Sequence, residues 1–184
     1  MLVAYDGSGK VYDFGALEVQ AVYISGNVRE PFASYMKDPL GRAAMDWSKE
    51  PNYPRPDFLS SSRKRLAPQL LFKGGILHNW KKKTAVALDK SFFDTLPKLK
   101  RVSKSRADIA WLIYDLKLVK EKGDGSERYS LQKVDEVFTE FEEALLTLTK
   151  PTPGKVEDFI KHLQEKLDEQ PETPPVNKTI EKPF

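Results

Sequence analysis

The sequence has no cysteine, which excludes disulfides, thiol nucleophiles and Cys-ligated metal centres. Histidine is nearly as scarce: His78 and His162 are the two in the chain. They lie far apart on expected helices and are read as surface or groove residues rather than zinc ligands. No apolar run reaches the roughly 18 residues of a spanning helix, and no charged-then-apolar leader is seen, so a soluble cytoplasmic protein is expected, with no membrane partner. Also missing are G-x-G-x-x-G, a P-loop, H-E-x-x-H and G-x-S-x-G. Their absence removes the usual dinucleotide, nucleotide, zinc-protease and serine-hydrolase readings.

What is present is a chain of 184 residues, enough for one domain with a real core. That domain is expected over residues 1–169, with a proline-rich, weakly apolar and disordered tail at 170–184. A net charge of +3 conceals an asymmetry. Residues 55–83 carry eight bases against Asp57 alone, and residues 121–169 carry thirteen acids against seven bases. One basic and one acidic side is the distribution of a protein that docks on phosphates from one direction; a merely solvated cationic helix is the alternative.

The chemistry concentrates in residues 11–25, VYDFGALEVQAVYIS. Its second half is β-branched and aromatic enough for a buried strand, yet it holds Glu18 and Gln20. Residues two apart on a strand share a face, so carboxylate and amide lie side by side. An ionised carboxylate among apolar neighbours needs a partner, and a divalent cation is a candidate. Leu2 to Tyr5 form the preceding strand, and Asp6-Gly7-Ser8-Gly9 reads as a tight turn with Gly7-Ser8 at its tip.

Beyond it, a helix from about Val28 to Asp38, capped by Ser25 or Asn27, is expected to pack through Val28, Phe32, Tyr35 and Met36. Residues 38–59 form a long loop that Trp47 and Tyr53 could anchor. Ser60-Ser61-Ser62 then caps a helix to about Lys82, with Leu66, Leu70, Leu77 and Trp80 on one stripe and Gly74-Gly75 as a weak point. Thr84–Asp89 and Ala107–Leu118 are buried strands, the latter with core residues Ile109, Trp111 and Ile113. Gly123-Asp124-Gly125 turns the chain into a strand at Tyr129–Phe138. Helices follow at Glu140–Leu148 and after Gly154, where Val156, Phe159, Ile160, Leu163 and Leu167 share a face.

The strand–turn–strand with E-x-Q, followed by a Gly-containing loop and a helix, resembles the core of PD-(D/E)XK nucleases. The segments YISGNVREPF (23–32), YPRPDFLSSS (53–62), KRLAPQ (64–69) and ADIAW (107–111) together resemble the NotI-like type II restriction endonucleases, from about Leu2 to Leu167. The resemblance implies an α/β (α+β, mixed-sheet) restriction-endonuclease-like fold with flanking helices. It also implies Mg²⁺-dependent, sequence-specific cleavage of double-stranded DNA by a homodimer. Glu18 and the backbone carbonyl of Val19 would bind Mg²⁺. Gln20 stands where the family's Lys is usual; its amide cannot titrate, so it would orient water or phosphate and leave the base to the phosphate itself, solvent or a group such as Glu30.

For DNA, a serine cluster at a helix start followed by Arg-Lys-Arg is a competent phosphate clamp. Ser62, Arg63, Lys64, Arg65 and Lys73 are the backbone candidates, with Arg29 near the metal-binding end. Asn52, Arg55 and Gln69 suit base edges.

One element is missing. With Gly7-Ser8 as the loop, Tyr5 pairs with Lys10, and Glu18 would face a position about three places before Met1. The superfamily's Asp beside the Glu is then not encoded; Asp6 lies at the turn and Asp13 points to the opposite face. The expectation is an N-terminally shortened nuclease lacking one metal-binding acid. A DNA-binding module without cleavage, or a structural domain with E-x-Q as an edge pair, are the other readings.

Overall fold

A computed structural model describes residues 1–26, 28–42, 45–49, 54–120, 127–151 and 153–169. The chain divides into two compact units, Met1–Thr149 and Lys150–Phe184. The second contains the helix Val156–Asp168, on which Val156, Phe159, Ile160, Leu163 and Leu167 recur at helical spacing. The tail expected at 170–184 and the turn at 123–125 lie outside the described residues.

The first unit is built on five strands: β1 (Leu2–Tyr5), β2 (Val11–Gln20), β5 (Thr84–Asp89), β6 (Ile109–Lys120) and β7 (Glu127–Thr139), in the order β1-β2-β5-β6-β7. β1 and β2 are antiparallel, β2, β5 and β6 run parallel, and β7 returns antiparallel to β6. The fold is thus the mixed α+β class expected. Parallel neighbours require a crossover, and the chain between β2 and β5 supplies it as a long helical run over residues 58–79. Two further strands, β3 (Tyr23–Ser25) and β4 (Arg55–Asp57), pair antiparallel within that crossover. β4 occupies the end of the segment expected to be loop.

Strand alternation explains where the core lies. Val86, Leu88, Ile109, Trp111, Ile113 and Val137 all point to one face, by register across β5, β6 and β7. There they meet Leu66 and Leu70 of the long helix, Phe92 of a short helix Lys90–Thr95, and Phe141, Ala144 and Leu148 of a helix Phe141–Thr149. Trp111 donates its indole N–H to the Thr139 hydroxyl at 3.0 Å, both fully buried, so the largest core side chain leaves no polar atom unpaired. Ala85, Ala87, Ala110 and Leu112 alternate onto the other face and are half-buried.

The long helix is not regular. α turns at Phe58–Ser61, Ala67–Gln69 and Gly75–Asn79 alternate with π turns at Ser62–Leu66 and Leu70–Gly74. Gly74 admits the Phe141 ring: a β-carbon there would stand 3.0 Å from Phe141 Cε2. The weak point expected at Gly74-Gly75 is thus where an aromatic side chain approaches the helix.

Three local expectations are corrected. The long helix begins at Phe58, because the Asp57 carboxylate accepts the Ser60 N–H at 2.9 Å and caps it; the serine cluster is inside the helix. The helix near residue 30 spans Arg29–Met36 with Val28 at its cap and no side-chain cap bond. Its Phe32 and Met36 are exposed rather than packed, and Pro31 is its one buried residue. The β1–β2 register differs by two from a Gly7-Ser8 hairpin: Leu2 pairs with Gly15, Ala4 with Asp13, and a bulge follows at Tyr5 and Val11. The turn is longer because Asp6 organises it. Its carboxylate accepts the Ser8 N–H, the Ser8 hydroxyl and the Lys10 N–H, at 2.9, 2.6 and 3.0 Å.

Candidate active site and DNA-facing groove

Glu18 and Gln20 point from β2 toward the long helix, since Glu18 pairs in register with Val86, whose side chain belongs to the core face. The usual pattern is therefore inverted at the end of β2: the polar pair faces inward, and Val19 between them is 72 % exposed. The Gln20 side chain is buried, with its amide N–H donating to the Ala21 carbonyl at 2.7 Å. That bond fixes the amide and leaves its oxygen as the end available to a ligand.

The Glu18 side chain is 22 % exposed, and its Oε2 accepts a hydrogen bond from Lys73 Nζ at 3.2 Å. Lys73 reaches in from the second π turn of the long helix. A small cavity of about 10 Å³ lies between Glu18, Gln69, Lys73 and Thr84, backed by Leu66 and Leu70. The Gln69 side-chain oxygen, Oε1, is buried without a hydrogen-bond partner among the described residues. A cavity this size has room for about one water.

A Mg²⁺ ion is bound through oxygens, by one or two carboxylates plus waters and substrate phosphate oxygens. Glu18 fits such a site in kind, with Oε1 carrying no hydrogen bond among the described residues. β1 pairs with β2 from Leu2–Gly15 to Tyr5–Val11, and Glu18 lies three residues beyond the Leu2–Gly15 pair. Asp13 is on the opposite face, ion-paired to Lys82 at 2.6 Å, a bond that holds its carboxyl below the ordinary aspartate range. Among the described residues no group of three or more His, Cys, Asp or Glu is gathered for a metal.

Of the remaining candidates, Gln69 alone lines this cavity. Arg29 and Glu30 occupy the first turn of the helix Arg29–Met36, exposed, and do not line the Glu18 cavity. Arg55 is exposed on β4 opposite Ser25, whose hydroxyl donates to the Arg55 carbonyl at 3.1 Å. Asn52 lies outside the described residues, as does Tyr53. Ser62 is one turn into the helix, with its N–H already bonded to the Leu59 and Phe58 carbonyls. Arg63 and Lys64 are exposed, and the Arg65 guanidinium lies 4.0 Å over the Tyr23 ring. Gln69 faces the Glu18 cavity.

Ser61 ties this arrangement together. Its hydroxyl donates to the Asp57 carbonyl and accepts the Tyr23 N–H, each at 2.7 Å. The helix start, β3 and β4 are thus fixed relative to one another. Neither this role of Ser61 nor the approach of Lys73 to Glu18 is among the expectations from sequence. The i, i+4 spacing of Gln69 and Lys73 on a crossover helix was the available signal, because a right-handed crossover lays one helix face over β2.

A mixed sheet with an inward carboxylate and amide at the end of one strand, a crossover helix, and cations along that helix is the arrangement of a nuclease-like α/β core. The family model described as restriction endonuclease NotI matches residues 1–131, and the chain belongs to that family. Its class of chemistry is sequence-specific cleavage of DNA, and DNA is its partner. No curated protein sequence matches the chain. No helix among the described residues is long and apolar enough to cross a membrane.

Proposed function

We propose that the chain is a Mg²⁺-dependent type II site-specific endonuclease of the PD-(D/E)XK kind in its E-x-Q form. It acts on double-stranded DNA in the cytoplasm, as a homodimer. The observation that carries this reading is the inward pair Glu18 and Gln20 at the end of β2, facing a crossover helix that bears cations. Glu18 holds the metal through its carboxylate, with the Val19 carbonyl beside it. When bound, the ion supplies an acidified water and neutralises charge on the scissile phosphate. Gln20, anchored through its amide N–H, orients a water or phosphate with its free oxygen. Exposed Arg63 and Lys64 contact the phosphate backbone, Arg65 stiffens the groove against Tyr23, and Arg55 on β4 is placed for a base edge.

Incubation with a long, sequence-diverse DNA and Mg²⁺ tests this. Discrete fragments that vanish in Glu18→Ala, with binding retained, are the expected result. Salt-sensitive binding without cleavage by either form would instead favour a non-catalytic DNA-binding module.

A further inference from the structure

An E-x-Q strand leaves a nuclease site without its cation, because an amide cannot be charged at any pH. The structure places a cation there from the other wall. Lys73 Nζ lies 3.2 Å from Glu18 Oε2, and its side chain is 65 % exposed while that of Glu18 is 22 % exposed. The ammonium therefore sits at the mouth of the cleft, between the carboxylate and solvent. Resting on the nuclease reading above, we propose that Lys73, rather than residue 20, is the cationic member of the Glu18 site. It holds Glu18 through Oε2 and offers its remaining N–H donors to a non-bridging oxygen of the bound phosphodiester.

Three observations support this beyond the distance. The pair is local to the site: the cavity beside it is lined by Glu18, Gln69, Lys73 and Thr84. Glu18 is the inward carboxylate of β2 with a side chain 22 % exposed, so the lysine that partners this charge is held over the site itself and not out on the surface. Chemically, a lysine ammonium has three donors on a flexible stem, and Glu18 uses one. The bond leaves Glu18 Oε1 open, so lysine and a divalent cation can share the carboxylate. Arg63 and Lys64 lie on the same helix but do not line the Glu18 cavity, which Lys73 does, so the assignment is specific to Lys73.

The position also permits a clean test. Lys73 is exposed on a helix, where alanine is well tolerated, so Lys73→Ala is expected to fold. Cleavage of cognate-containing DNA with Mg²⁺ should fall roughly 100-fold in kcat, the scale of losing one transition-state donor, with KM nearly unchanged. Lys73→Arg should retain most of the activity. The double variant Gln20→Lys/Lys73→Ala, which restores a cation from the strand, should recover at least tenfold over Lys73→Ala. Independently of cleavage, Mn²⁺ titration followed by electron paramagnetic resonance should show several-fold tighter binding in Lys73→Ala, because a competing positive charge has gone. That binding should be absent in Glu18→Gln. Wild-type cleavage and unchanged Mn²⁺ affinity in Lys73→Ala would overturn the assignment while leaving the nuclease reading intact. No cleavage and no Glu18-dependent Mn²⁺ binding in any form would overturn both.

Discussion

Ser61 shows how much one hydroxyl organises. It is fully buried, donates to the Asp57 carbonyl and accepts the Tyr23 N–H, joining segments 38 residues apart in the chain. Ser61→Ala leaves the Tyr23 donor unpaired, at a cost of about 1–3 kcal/mol. Urea denaturation should show a lowered midpoint, and hydrogen exchange should quicken at Tyr23 before the core strands respond. At the same scale the sequence was only partly legible. Glu18 and Gln20 were visible as a polar pair on one strand face, because strand alternation is a local property. Three consecutive serines carried an equal local claim to cap the helix. Asp57 takes that place because β3–β4 pairing and Tyr23 recruit Ser61 into the helix interior, a tertiary choice that propensity does not encode.

The elements themselves divide by how local their determinants are. β5, β6, β7 and the helix Phe141–Thr149 were readable from continuous apolar runs or helical periodicity, since each buries its face against the same core. The hairpin register was not, because Asp6 side-chain bonds and a bulge set it. Nor was the exposure of Phe32 and Met36, since nothing in their spacing says whether a partner surface exists. The end of the long helix gives a sharper prediction. Lys82 N–H bonds to the Leu77 carbonyl and Lys81 N–H to that of His78, at 2.8 and 2.9 Å, with Lys81 at φ 56°. This is a Schellman closure with a lysine where glycine is favoured. Lys81→Gly should stabilise the protein by about 0.5–1 kcal/mol by removing the left-handed penalty, measured as a raised thermal midpoint with the DNA-facing residues untouched.

For the whole molecule, the charge asymmetry is the property the sequence stated most directly. The excess of lysine and arginine over 55–83 is concentrated on the crossover that also brings Lys73 to Glu18. Side chains that neutralise phosphates release counterions, so binding weakens with salt in proportion to the contacts made. Arg63→Ala/Lys64→Ala should lower the slope of log affinity against log salt by about two. The loss should be similar across DNA sequences, as fluorescence anisotropy can determine. An unchanged slope would remove these two side chains from the interface.

The second π turn, Leu70–Gly74, has a consequence for which changes this protein can tolerate. Each residue in a helix advances the azimuth by about 100°, and a π turn holds one residue more than an α turn. The aim of Lys73 at Glu18 is therefore set by residue count as much as by residue identity. Substitutions along the helix leave that aim in place. Losing a single residue between Leu66 and Gly74 would heal the turn into regular α-helix and swing the ammonium away from the carboxylate with every functional side chain still present. Relatives compared at this helix should be aligned by gaps before they are compared by letters.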